Sequence, residues 1–186
     1  MAGAGLKRKL ITKNDQPKVI KQGKYLRLIR HGGWEYSQRT NCTGIVVIVA
    51  KTNDGKVVLI KQFRPPVNKF CIEFPAGLVN DRLEKSTESL LTAAKREFLE
   101  ETGYRAKTLT KVLTGPVSPG SSADVMTLFV AKGLVKVSKG GGDHTENIEV
   151  CEISVTNLES WLSQMEKEGC FVDPKVYAGL YFLKQN

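Results

Sequence analysis

Apolar positions run in short extended blocks through the first half of the chain and switch to a helical period near its middle. Lys18 to Arg30 reads as one or two strands, Gly32-Gly33 interrupts them, and Trp34 to Arg39 resumes an extended pattern. Gly44 to Ala50 is an unbroken β-branched run of the kind buried on both faces. Asn53-Asp54-Gly55 is a turn signal, and Val57 to Phe63 is the natural hairpin partner of that run. Pro65-Pro66 ends the strand. Phe70 to Phe74 predicts another, stopped by Pro75-Ala76-Gly77 and followed by a polar loop. The helical period then spans about Thr87 to Thr102, with Ser86 or Thr87 as its cap and Gly103 closing it.

Tyr104 to Leu113, Val125 to Ala131 and Ile148 to Val155 read as strands separated by a Gly/Pro/Ser-rich loop at 115–122 and a glycine-rich loop at 139–143. Two helices finish the chain. The first runs from about Leu158 to Glu168, and Asp173-Pro174 opens the second with a capping residue and a proline at the first helical position. Strands interrupted by one long helix and closed by two more predict an α/β or α+β sandwich. There is no internal repeat and no interdomain linker, so residues 17–186 are expected to form a single domain behind a flexible basic tail, 1–16.

The middle helix carries the strongest chemical signal. Its apolar set is Leu90, Leu91, Ala94 and Phe98, and the arc of that set runs into Glu101. At about 100° per residue, Glu97, Glu100 and Glu101 share one side of the helix, where their charges repel unless a cation lies between them. A solvated acidic face is the ordinary fate of such a run. Against it, Glu97 meets Glu101 at i+4, where a surface helix gains from Lys or Arg. Oxygen-only ligands favour Mg²⁺ or Mn²⁺ over Zn²⁺.

Composition narrows the partners. The net charge of +9 admits nucleic acid, an acidic membrane or a small anion. Lysines are scattered without a basic repeat or an RNA-binding signature, so solubility accounts for most of them and nucleic acid is not expected as a partner. The four cysteines show no C-x-x-C spacing, which points to free thiols in a reducing, cytoplasmic setting. Lys7-Arg8-Lys9 adds a weak nuclear-localisation pattern. No apolar run approaches a membrane span, so a soluble protein is expected.

These residues resemble the Nudix hydrolases, whose box is G-x5-E-x7-R-E-U-x-E-E-x-G-U with U apolar. Glu88, Arg96, Glu97, Glu100, Glu101 and Gly103 fall in register, and Phe98 and Tyr104 fill the U positions. One departure stands out: ten residues, not five, separate Gly77 from Glu88, which reads as a five-residue insertion in the loop Asn80 to Ser86. Within the family the chain is similar to the ADP-sugar pyrophosphatases of the ADP-ribose type, including the eukaryotic ADP-ribose/8-oxo-dGDP members. The segments 61–66, 71–77 and 172–177 carry that likeness, together with Pro119, sixteen residues after the box glycine Gly103.

The resemblance implies an α/β/α sandwich with a mixed sheet and an N-terminal β-rich region, in which residues 17–43 exchange between the subunits of a homodimer. It implies Mg²⁺-dependent cleavage of an ADP-sugar to AMP and a sugar phosphate, with an 8-oxo-dGDP hydrolase as first alternative and a non-catalytic ADP-ribose or RNA binding module as second. Presence of every box acid ranks that second alternative low. Glu97, Glu100, Glu101 and the Ala76 carbonyl are the implied metal ligands, with Mn²⁺ as an alternative ion. Arg96 orients the carboxylates, and Glu88 is its ion-pair partner. Glu146, in a loop late in the chain, is the implied general base, with Glu149 in reserve; His144 has no matched role. Trp34 and Tyr25 are the stacking positions for the nucleobase, Glu35 bonds its edge, Arg39 and Arg64 are the cations for the diphosphate or base, and Gly77 and Pro119 border the substrate.

Overall fold

The computed structural model describes residues 11, 12, 15–81, 87–142 and 147–185. In chain order the strands and helices are β1 (Lys18–Gln22), β2 (Leu26–His31), β3 (Trp34–Arg39), β4 (Gly44–Ala50), β5 (Lys56–Arg64), β6 (Lys69–Glu73), β7 (Ala76–Val79), α1 (Leu90–Thr102), β8 (Tyr104–Pro116), β9 (Val125–Lys136), β10 (Ile148–Ser154), α2 (Leu158–Lys167), β11 (Phe171–Val172) and α3 (Pro174–Gln185). Three sheets result, in the orders β1-β2-β3, β7-β4-β9-β8 and β10-β5-β6-β11.

Both four-stranded sheets present alternate residues to two cores. Val46, Ile48, Ala50 and Val58 pack with Ala93, Ala94 and Phe98 of α1. Their neighbours Val47, Val49, Val57 and Leu59 pack with Leu158 and Leu162 of α2 and Val176 of α3. Helices therefore cover both faces, the α/β/α arrangement expected, and β4 throughout and β5 from Val57 to Ile60 are apolar because those stretches have no solvent face. Gly179 lets α3 sit against the sheet, since a Cβ there would lie 2.3 Å from the Phe74 ring.

The structure corrects four sequence expectations. The turn after β4 forms, with Thr52 N–H donating to Lys56 O at 2.8 Å, yet β5 is not the ladder partner of β4. Only the Lys51–Val57 bridge links them; β4 lies between β7 and β9, and β5 between β10 and β6. A uniformly apolar strand marks its own burial, not its neighbour. A strand, β7, occupies Ala76–Val79 where a loop was predicted, antiparallel to β4 with Val47 opposite Ala76. The hairpin arms β8 and β9 are longer than their apolar patterns. Finally, α1 begins at Leu90, and its cap is Ser89, whose Oγ accepts from Thr92 N–H at 3.1 Å. Thr87 and Glu88 stay outside because Glu88 N–H donates to Asn80 Oδ1 at 2.6 Å.

Candidate active site

Strand β7 lies directly under α1. Glu97 leans over Gly77 so closely that a Cβ on residue 77 would lie 1.9 Å from Glu97 Cδ, which explains the glycine. One turn on, Glu101 is only 3% exposed, and its Oε2 accepts from Ala76 N–H at 2.9 Å. Glu100 is the most open of the three acids, with 34% of its side chain exposed. Burial pushes the Glu97 carboxyl up to about 7 although Arg96 beside it pulls the other way.

Arg96 is a buried hub, not a surface cation. Its Nε and Nη2 hold the two carboxylate oxygens of Glu88 at 2.9 and 3.0 Å. Nη1 reaches Glu97 at 2.7 Å and Glu100 at 3.4 Å, while Nη2 also reaches Leu78 O at 3.0 Å and Asp81 at 3.3 Å. The Glu88 hydrogen bonds raise the guanidinium above its already high pKa. Arg96 thus hydrogen-bonds Glu97 and Glu100 and pairs with Glu88.

The inserted loop is pinned at its neck. Asn80, at φ 60, takes Glu88 N–H on its side chain, and its own N–H donates to Glu88 Oε2 at 3.3 Å. These reciprocal bonds close the loop before the helix starts, so extra length between them leaves the helical acids in register. Residues 82–86 themselves lie outside the described residues.

The predicted substrate contacts fall in two places. Arg64 lies on the α1 side of its sheet, in alternation with Ile60 and Val58, and its Nε donates to Glu73 Oε2 at 2.7 Å. In the second place, Trp34, His31 and Tyr36 of one face of the β2-β3 pair line a cleft of about 340 Å³ with Pro119, Gly120 and Ser122. The loop is tied to β3 there: Ser37 N–H donates to Ser121 O, and Ala123 N–H to Ser37 O, both at 2.9 Å. Arg39 Nε stands 3.3 Å from Asp124 Oδ2 without hydrogen-bonding alignment. Glu35 is on the face opposite Trp34, paired with Arg30 at 2.7 Å. Tyr25 is 56% exposed and lies beyond the far end of the same ladder from Trp34. A larger hollow of about 460 Å³, between β10 and α2, contains none of the predicted residues.

Glu146 and His144 lie outside the described residues. Glu149 is described, opposite Lys61 and 3.7 Å from its Nζ. That alternation puts it with Cys151 and Leu59 on the α2 and α3 side of the sheet, away from the acids. The reserve base is therefore on the wrong face. Sequence reasoning missed Asn80, Asp81 and Glu73 as partners of the site's charged groups. Glu73 stands three residues before Ala76, but only strand pairing reveals that it meets Arg64.

Among the described residues no three His, Cys, Asp or Glu side chains converge into a chelating group, since Glu101 is turned onto the Ala76 amide and Glu97 onto Arg96. The donor chemistry nonetheless fits a hard divalent ion. Three carboxylates share the end of one helix, and burial drives Glu97 toward protonation for want of enough positive charge. Below about pH 7, a cation at Glu97 has to displace a proton.

Helices on both faces of mixed sheets, with an acid-lined helix over a glycine strand, define a Nudix-type site. The NUDIX domain profile matches residues 42–176, and the chain belongs to the Nudix family. It is 38% identical over 139 residues to an ADP-ribose pyrophosphatase of Bacillus subtilis (strain 168), covering 74% of this chain and 71% of that protein. It is 32% identical over 142 residues to a methanol dehydrogenase activator of Bacillus methanolicus, covering 76% and 72%. A crystal structure of an ADP compounds hydrolase superposes with a TM-score of 0.68 over 91% of this chain and 90% of that one; at 20% identity it shows the fold alone.

Proposed function

We propose that the protein hydrolyses the diphosphate of ADP-ribose or a related ADP-sugar to AMP and a sugar phosphate, with Mg²⁺ held by Glu97, Glu100, Glu101 and the Ala76 carbonyl. The observation that carries this reading is the acid face of α1 seated on Ala76 and Gly77, in a chain similar to an ADP-ribose pyrophosphatase over 74% of its length. When bound, the ion neutralises phosphate oxygens and lowers the pKa of water. The chain's own residues do the rest. Arg96 fixes Glu97 and Glu100, and the Ala76 amide fixes Glu101, so the acids are oriented before substrate arrives. Arg64, held through Nε by Glu73 and still 39% exposed along its side chain, offers its cation to a phosphate oxygen. Trp34 stacks the base beside Pro119. Glu146 takes the proton of the attacking water. The described residues that flank it support this role: Gly142 N–H donates to Glu100 O at 3.1 Å and Ile148 N–H to Gly141 O at 3.4 Å, beside the last turn of α1.

A homodimer with exchanged β1-β3 sheets completes the base site. Tyr25 and Trp34 stand more than the Leu26 to His31 span apart, about 17 Å at 3.4 Å per residue, so one chain's pair does not sandwich one base. The sheet also exposes Val19, Ile20, Leu26 and Leu28, and its tie to the body runs through β3 and the 121–123 loop. Tyr25 of a second copy fills the gap. Chains carrying Trp34→Ala and Tyr25→Ala are each expected to lose affinity for ADP-ribose, and their co-expression to restore one intact site per mixed dimer. No recovery on mixing, or a monomer by sedimentation, contradicts the exchange. The exposed stacking residue and the free cysteines suit a soluble enzyme in a reducing compartment such as the cytoplasm. An 8-oxo-dGDP hydrolase remains the main rival, and a higher kcat/KM for that nucleotide than for ADP-ribose establishes it.

A further inference from the structure

The last turn of α1 is clamped by the backbone of a distant segment. A helix leaves its final four carbonyls without intrahelical partners, and its C-terminal end carries partial negative charge. Here that end also bears two of the three acids. Gly103 N–H donates to Leu99 O at 2.9 Å; Gly141 N–H donates to Glu101 O at 2.8 Å and Gly142 N–H to Glu100 O at 3.1 Å. Val137 and Ser138 N–H both donate to Gly103 O, at 2.8 and 3.2 Å. The two backbones interlock glycine against glycine. A Cβ on Gly140, at φ 71, would lie 2.4 Å from Thr102 C and 2.6 Å from Glu101 O; a Cβ on Gly103 would lie 2.1 Å from Ser138 O. No side chain fits between strap and helix.

We infer that the Gly140–Gly142 strap is a positioning element for the acid site, and that Gly140 in particular sets the placement of Glu100 and Glu101 by admitting the strap amides to their carbonyls. Three consecutive glycines exceed what a connection between β9 and β10 requires. Gly55 shows the contrast: it has φ 82 in an ordinary turn, with nothing within 4 Å of an added Cβ. At the strap, an added methyl displaces the chain that carries two acids. This inference rests on the metal reading of those acids.

The test compares Gly140→Ala with Gly55→Ala, two substitutions of similar backbone strain, by Mn²⁺ binding to the full chain without substrate, read as free Mn²⁺ by electron paramagnetic resonance. Gly140→Ala is expected to raise the Mn²⁺ Kd about tenfold or more, the scale of a lost outer-shell partner, while Gly55→Ala leaves it unchanged. Thermal melts of both report their loss of stability separately. A Gly140→Ala protein that melts earlier yet binds Mn²⁺ as the unaltered chain does overturns the inference and leaves the strap a purely structural cap. Failure of the unaltered chain to bind Mn²⁺ removes the metal reading and the strap proposal with it. Should Gly140→Ala prove insoluble, Gly141→Ala serves: its Cβ meets only Ile148 O at 3.7 Å, but its φ of 110 opposes a side chain. A smaller rise in Kd supports the strap, and an unchanged Kd contradicts it.

Discussion

Glu101→Gln is expected to reduce the turnover of ADP-ribose by at least 10²–10³-fold, on the order of what one preorganised electrostatic contact contributes, while the fold survives. Glutamine keeps the volume of the side chain, and its carbonyl oxygen can still accept from Ala76 N–H, the bond now made at 2.9 Å. What disappears is the negative charge. Glu101 is 3% exposed, so no water-facing position takes over its role, and Glu97 and Glu100 then face the cation without it. Removing one of three like charges from a helix end relieves repulsion, so the melting temperature should hold or rise. Steady-state rates with a parallel thermal melt check both halves. A retained rate removes Glu101 from the metal site; a collapsed melt makes its role structural.

Arg96→Leu should produce the largest loss of stability. The guanidinium makes hydrogen bonds to Glu88, Glu97, Glu100, Asp81 and the Leu78 carbonyl, and the side chain of Glu88 is only 2% exposed. Leucine leaves Glu88, and Glu97 at 12% exposure, without this counter-charge, which costs about 3–5 kcal/mol in comparable buried pairs. For a domain of this size that is a drop of roughly 6–20 °C in melting temperature. Arg96→Lys is expected to recover only part, because one ammonium does not replace a planar fork holding both Glu88 oxygens. A Leu variant that melts within about 2 °C of the unaltered chain, inside the span of an ordinary surface change, refutes the hub.

The acids were legible because helical periodicity alone puts Glu97, Glu100 and Glu101 on one side of α1. Their neighbours were not. Gly77 appeared as a turn residue, yet its meaning lies in the 1.9 Å a Cβ would leave to Glu97, a distance fixed by β7 pairing with β4. That strand went unseen because Ala-Gly-Leu-Val has almost no β-branched or alternating pattern. The start of α1 was misplaced since Ser86, Thr87 and Ser89 are all competent caps, and the choice is made by Asn80, eight residues before Glu88. Gly140–Gly142 read as a loop because glycine marks flexibility in a sequence, whereas here it marks contact. Trp34 and Pro119 line one cleft, while Glu35 fell on the other face of its sheet, paired with Arg30. Alternation along β3 dictates that separation.

The central claim is that the acid face of α1 supports metal-dependent cleavage of an ADP-sugar diphosphate. Its most direct test is incubation of the full chain with ADP-ribose, once with Mg²⁺ and once with a chelator, with products resolved by chromatography. AMP and ribose 5-phosphate formed with Mg²⁺ and abolished by the chelator are the predicted result. Unchanged ADP-ribose in both, or equal cleavage in both, contradicts the account.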